Sequence, residues 1–159
     1  MKFKIGFGYD VHALREGETF ILGGIQIEHH KGAYGHSDAD VLIHAICDAI
    51  LGALALGDIG SHFPDNDPKY KGIDSKILLK EVVETMEKES WSIGNIDSTI
   101  CLEKPKLRPH IDEMRAVLAK ILNIPIGSIS IKATTTEKLG FVGREEGVSA
   151  NAVVLIEQK

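Results

Sequence analysis

Apolar and polar positions alternate over residues 2–12. Phe3, Ile5, Phe7, Tyr9 and Val11 fall on one side, and Lys4, Gly6, Gly8, Asp10 and His12 on the other. A period of two predicts a strand with one buried face, and it puts Asp10 and His12 together on the polar face. Residues 19–27 read as a hairpin turning at Gly23-Gly24, and Gly32 to Gly35 as a loop. The next stretch, Gly35 to Asp58, contains a helix with almost no polar side: Val41, Leu42, Ile43, Ala45, Ile46, Ala49, Ile50 and Leu51 surround its axis. Such a helix belongs in a core or at a subunit contact. Ser37 or Asp38 is its expected cap.

Beyond a polar loop, Ser61 to Pro68, a second helix spans about Ser75 to Glu89. Ile77, Leu78, Val82 and Met86 form its stripe, opposite Lys80, Glu81, Glu84 and Lys88. Gly94-Asn95 leads into a strand running to Glu103, and Lys104 to Pro109 forms a loop. A third helix covers about His110 to Leu122 and stops before Pro125. Ser128 to Ala133 and Gly147 to Glu157 are the last strands. This succession favours an α+β fold, a small mixed β-sheet with helices packed on one face. No repeat or linker divides the chain, so residues 1–159 are expected to form one domain.

Three groups of residues carry chemistry. His44 and Asp48 interrupt the apolar helix four residues apart, and a buried histidine needs a partner. Asp10, His12 and His44 together make a three-ligand set for zinc with a fourth position open to water or substrate. Each histidine could instead be a hydrogen-bonded core residue. A glycine-flanked Asp-x-His beside a histidine in an apolar helix favours the metal. Asp48 could orient His44 through its other ring N–H, or accept a hydrogen bond elsewhere. The second group is Ala133-Thr134-Thr135-Thr136-Glu137-Lys138-Leu139-Gly140, running on to Phe141 and Arg144. Hydroxyls and loop amides suit phosphate oxygens, and a carboxylate suits phosphate-bound Mg²⁺. The same threonines also suit an ordinary strand end or helix cap. The third is His36-Ser37, at the expected anion-binding start of the helix, where an ordinary serine cap is the simpler alternative. Lys104, Lys106 and Arg108 could add positive charge or merely line a surface loop. His29, His30 and His62 carry no spacing argument and read as surface residues.

Composition narrows the classes. A net charge of −5 argues against non-specific nucleic-acid binding. The two cysteines, Cys47 and Cys101, have no metal-type spacing and read as reduced core residues. No apolar run reaches membrane-spanning length, and residues 1–6 lack signal-peptide architecture, which points to the cytoplasm or, after removal of a transit peptide, to an organelle. The residues alone thus predict a metal site with an open position near an anion pocket.

Gly8-Tyr9-Asp10-Val11-His12, His36-Ser37-Asp38-Ala39-Asp40-Val41, Gly57-Asp58-Ile59-Gly60, Phe63-Pro64-Asp65, Pro105-Lys106-Leu107 and the 133–141 stretch appear in this order along the whole chain. In these motifs the sequence resembles the 2-C-methyl-D-erythritol 2,4-cyclodiphosphate synthase family of the non-mevalonate isoprenoid pathway. It departs at Asn151, where some relatives carry an acid. The resemblance implies a homotrimer with active sites between neighbouring subunits. It implies a substrate, 4-diphosphocytidyl-2-C-methyl-D-erythritol 2-phosphate, that cyclises with loss of CMP. Asp10, His12 and His44 would hold Zn²⁺, and Glu137 a Mg²⁺ or Mn²⁺ bridging the diphosphate. Thr135 and His36, the latter beside Ser37, would act on the reacting phosphates. Asp58, Ile59 and Gly60 would meet the sugar region, and Phe63, Pro64, Asp65, Asn66 and Asp67 would cover the methylerythritol phosphate. Leu102, Glu103, Lys104, Pro105, Lys106, Leu107 and Arg108, with Ala133 and Thr134, would recognise the cytidine part. Val11, Thr136, Phe141 and Arg144 belong to the wider binding set. Two other functions fit the residues: a zinc hydrolase that activates water, and a non-catalytic trimer that binds a nucleotide or prenyl diphosphate.

Overall fold

The computed structural model describes residues 2–159. Seven strands form two sheets: β1 (Phe3–Glu16), β2 (Phe20–Leu22), β3 (Ile25–Ile27), β4 (Lys31–Tyr34), β5 (Trp91–Cys101), β6 (Ile129–Thr134) and β7 (Gly147–Gln158). The main sheet has the order β4-β1-β7-β5-β6, with β5 and β6 parallel and the other pairs antiparallel. β2 and β3 make the separate hairpin expected around Gly23-Gly24. The helices are α1 (Val41–Ala53), α2 (Ile59–His62), α3 (Ser75–Lys88), α4 (Ile111–Leu122) and α5 (Gly140–Gly143). This is the α+β mixed sheet that the element order predicts, and among the described residues no helix is long and apolar enough to cross a membrane.

Every α1 side chain from Val41 to Cys47 is buried, as are Ala49, Ile50 and Leu51. Each large aliphatic side chain buried in this way contributes roughly 1.5–3 kcal/mol. The helix packs on β1, β7 and α3. Its seat is the polar side of β1, and here the simple alternation misleads. A Cβ on Gly6 would lie 1.7 Å from the Ala49 carbonyl oxygen, and one on Gly8 1.9 Å from that of Ala45. The glycine face is therefore the one beneath α1, because absent side chains let the helix backbone approach the strand. The opposite face, expected to be buried, is bare: Ile5 is 66% and Phe7 63% exposed, and Phe3, Tyr9, Val11 and Val153 are exposed beside them.

Other boundaries shift for local reasons. β1 continues past His12 to Glu16 because β4 pairs with its end, so part of the expected 32–35 loop is strand. The cap of α1 is Asp40, not Ser37 or Asp38. Its buried carboxylate accepts from Ile43 N at 3.1 Å and from Gly23 N and Gly24 N at 2.9 and 2.7 Å, joining helix start to hairpin turn. β5 begins at Trp91 and absorbs Gly94 at a bulge. In α3 the buried stripe includes Leu79 and Val83, whereas Ile77 is exposed.

A candidate metal centre and two clefts

Asp10 and His12 come from β1 and His44 from α1, and their ligand atoms lie within 4.8 Å of one another. Nδ1 of His12 and Nδ1 of His44 are each 3.0 Å from the same Asp10 oxygen, Oδ2. The contacts differ in kind. His44 Nδ1 has hydrogen-bond geometry toward Asp10, whereas His12 Nδ1 is shielded from solvent and makes no hydrogen bond. Burial opposes ionisation of Asp10, but the His12 and His44 contacts outweigh it and hold the carboxyl at about 2. Burial likewise opposes charge on His44, and the Asp10 carboxylate overcomes it, raising this imidazole above the ordinary histidine value.

The groups that orient His44 were not legible in the sequence. Its Nε2 lies 2.9 Å from Ser75 Oγ and 3.1 Å from Ser37 Oγ. The Ser75 hydroxyl donates to Asp38 Oδ1, and Asp38 Oδ2 accepts from Ser75 N at 3.0 Å. With that hydroxyl committed to Asp38, Nε2–H of His44 donates to Ser75, and the Nδ1 electron pair faces Asp10. Asp10, His12 and His44 thus bring three donor atoms to one point, an arrangement that needs a proton or a cation among them. The residues fit a divalent metal bound by two imidazoles and a carboxylate. Asp48, expected as a possible orienter, does not serve His44. Its Oδ1 accepts from Ile59 N at 2.7 Å, anchoring α2 to α1.

The centre floors a cleft of about 340 Å³ lined by Asp10, His12, His36, Ser37, His44, Ile59, Gly60, Phe63 and Asp65 from the predicted set, with Tyr70, Ile73 and Leu78 in addition. Tyr70 stands edge-on to Phe63 at 5.4 Å. His36 Nε2 is 3.4 Å from the Asp67 carbonyl oxygen, so His36 is tied to the 63–67 loop. His36 and Ser37 precede the helix rather than begin it, and Asp40 already caps Ile43 N. The expected anion site at free helix amides is therefore not present in that form. Asp58 is fully exposed and caps α2 through Ser61 N and Oγ at 2.8 and 2.7 Å; the Ser61 hydroxyl bond lowers its carboxyl. Pro64, Asn66 and Asp67 border this cleft only through the loop they belong to. Val11 points to the bare sheet face.

A second cleft, of about 440 Å³, shares no lining residue with the first. Leu102, Glu103, Pro105, Lys106, Leu107, Arg108, Ala133, Thr134 and Thr135 line it as expected, joined by Ile111, Ile131 and Lys132. The last three sit at ordinary strand and helix positions that carry no motif. Lys104 turns away and pairs with Glu145 at 3.1 Å. Glu137 is exposed, outside the metal cluster, and its backbone N donates to Thr135 Oγ1 at 3.3 Å. Glu137 and Lys138 both adopt left-handed backbone, with φ of 53° and 62°. That costs each non-glycine residue roughly 1–3 kcal/mol and is typical of functional loops. Thr136 Oγ1 donates to Leu139 O at 2.7 Å, closing the same turn. Phe141 packs at Gly147, and Arg144 pairs with Glu146 at 3.1 Å.

Comparison with known proteins agrees with this fold. Residues 3–157 match the YgbB family. The 2-C-methyl-D-erythritol 2,4-cyclodiphosphate synthase of Porphyromonas gingivalis strain W83 is 62% identical over 97% of this chain and 95% of its own length. That of Bacteroides fragilis is 63% identical over 99% of both chains. Among solved structures, the bifunctional IspDF of Campylobacter jejuni superposes with a TM-score of 0.96 at 40% identity, covering 99% of this chain and 43% of that longer one. Plasmodium falciparum IspF, solved as a CDP complex, gives 0.88 at 34% identity over 99% of this chain and 97% of its own. The chain belongs to the YgbB family, among the 2-C-methyl-D-erythritol 2,4-cyclodiphosphate synthases.

Proposed function

We propose that this protein is a metal-dependent phosphorus–oxygen lyase acting in the cytoplasm. It converts 4-diphosphocytidyl-2-C-methyl-D-erythritol 2-phosphate into 2-C-methyl-D-erythritol 2,4-cyclodiphosphate and CMP. The observation that carries this reading is the convergence of Asp10, His12 and His44 on one point at the floor of a cleft. The names of its relatives and the CDP bound to Plasmodium falciparum IspF support the substrate class.

The substrate carries its own nucleophile. A 2-phosphate oxygen forms a bond to the β-phosphorus, the bond from that phosphorus to the oxygen bridging to the α-phosphate breaks, and the electron pair leaves with CMP. Catalysis is then mainly alignment and neutralisation of charge. Asp10, His12 and His44 would hold Zn²⁺, which when bound would supply Lewis acidity toward a phosphate oxygen. His36 and Ser37, beside that centre, hydrogen-bond the reacting phosphates, while Ile59, Gly60, Phe63 and Asp65 enclose the methylerythritol part. Thr135 donates its hydroxyl to the diphosphate, and the adjacent Glu137 carboxylate suits a hard cation such as Mg²⁺ or Mn²⁺. The 102–108 loop reads cytosine through backbone groups and offsets phosphate charge with Lys106 and Arg108.

The two clefts are separate within one chain, whereas the reaction needs both. We therefore assign a homotrimer, in which the second cleft of one subunit completes the metal cleft of its neighbour. The bare apolar face of β1 and β7 supports this, because a contiguous exposed apolar surface marks a contact site.

Incubation with the diphosphocytidyl substrate in ¹⁸O-water, with and without chelator, tests the reading. Phosphorus NMR should find the cyclodiphosphate and CMP without water oxygen, and chelator should stop both. Labelled linear phosphates would instead identify a zinc hydrolase. Metal and nucleotide binding without CMP release would identify a non-catalytic binding protein.

A further inference from the structure

A second pair of histidines lies away from both clefts. His29 and His30 precede β4, and Glu145 follows α5. One ligand atom from each lies within 4.8 Å of the others. The His29 and His30 rings meet edge-on at 4.3 Å, and the half-buried His29 has an Nε2 atom shielded from solvent and without a hydrogen-bond partner. An imidazole nitrogen hidden from water and unpaired is costly unless something binds it. Burial, reinforced by the His30 imidazole, holds His29 below the usual histidine range, hence neutral and able to offer an electron pair. Glu16 Oε1 lies 3.7 Å from His30 Nε2 and is a potential fourth donor.

We propose that His29, His30 and Glu145 form a second site for a divalent transition metal, with Zn²⁺ the best match to two imidazoles and a carboxylate. Ligand atoms around tetrahedral zinc stand about 3.4 Å apart. The site closes by side-chain rotation of exposed His30 and half-buried Glu145 while the backbone stays fixed. The backbone is already tied at both ends: Lys31 Nζ donates to Glu145 O at 2.9 Å, and Gly17 N to His30 O at 3.0 Å. Two cations oppose the metal, Lys31 and Lys104, and only Lys104 holds the Glu145 carboxylate, at 3.1 Å. Metal and Lys104 therefore compete for Glu145. Occupancy of this site thus releases Lys104, a residue of the 102–108 loop, from Glu145.

Metal-free protein, with any histidine tag removed, is dialysed against Zn²⁺ and its content measured by elemental analysis across a concentration series. The wild type should bind in two classes per chain. His30→Gln and Glu145→Gln should each weaken one class at least tenfold and leave the other untouched, with unchanged circular dichroism. Lys104→Gln should tighten that same class severalfold, an effect an adventitious surface histidine pair would not produce. A single class in the wild type, or a second class that persists in both His30→Gln and Glu145→Gln, would overturn the site.

Discussion

The two clefts are built in opposite ways. Around the metal centre, side chains fix one another: Asp38 holds Ser75, Ser75 holds His44, and His44 meets Asp10, all beneath a helix whose apolar side chains are wholly buried. Around the 102–108 loop, Lys106 and Arg108 are exposed and Lys104 is drawn off to Glu145, and the 135–138 turn is held mainly by its own hydroxyls. The first cleft is preorganised in the isolated chain. In the proposed trimer the second would take its working form against a neighbour and a nucleotide. Chemistry that depends on exact placement sits where the fold already fixes geometry, and recognition sits where contact can complete it.

Breaking the rigid cleft should cost most. His44→Ala removes a ligand from a dry core and should lower CMP release about a thousandfold, the equivalent of several kcal/mol of lost charge stabilisation, with metal content falling in parallel. Full metal occupancy in that variant would contradict the ligand assignment. Phe7→Glu places a charge on the bare sheet face and should dissociate the assembly in sedimentation velocity. Activity should fall with the trimer while each chain keeps its metal. Ser75→Ala should weaken metal binding by about 10–100-fold, the usual cost of losing a group that orients a ligating histidine. Ser75→Thr, which keeps the hydroxyl, should recover much of it.

The smallest effect sharpens the electrostatics. A proton competes with metal for His44, so affinity is full well above the folded-state value of His44 and declines as pH falls through it. That value stands above the ordinary 6.5, so the decline should begin at higher pH than for an unperturbed histidine. Asp10, held at about 2, stays ionised throughout and contributes no step. Asp10→Asn removes the group that raises His44, and should shift any remaining decline to lower pH.

Much of this was legible in the chain itself. The α+β order, the buried helix and the Asp10–His12–His44 set follow from periodicity and residue type. What stayed hidden is long-range. Alternation in β1 marks two faces but not which is covered. Gly6 and Gly8 decide that, through a helix backbone that approaches only where side chains are missing. Ser75 looks like any first residue of a helix until it is seen against Asp38, thirty-seven residues earlier. Asp48 has the right helical spacing to reach His44 yet serves Ile59, because the loop after α1 folds back over it. The division of the expected binding residues between two clefts has no signature in sequence order.

That division can be tested by mixing two inactive chains. An Asp10→Asn subunit lacks a working metal cleft, and a Glu137→Gln subunit lacks a working second cleft. Co-expressed with different tags and purified as mixed trimers, they should regain about one third of wild-type sites, because one of the three interfaces in each mixed trimer joins the two intact clefts. Recovery of CMP release to that level is the predicted result. Mixed trimers that stay as inactive as either parent would contradict a site shared between subunits.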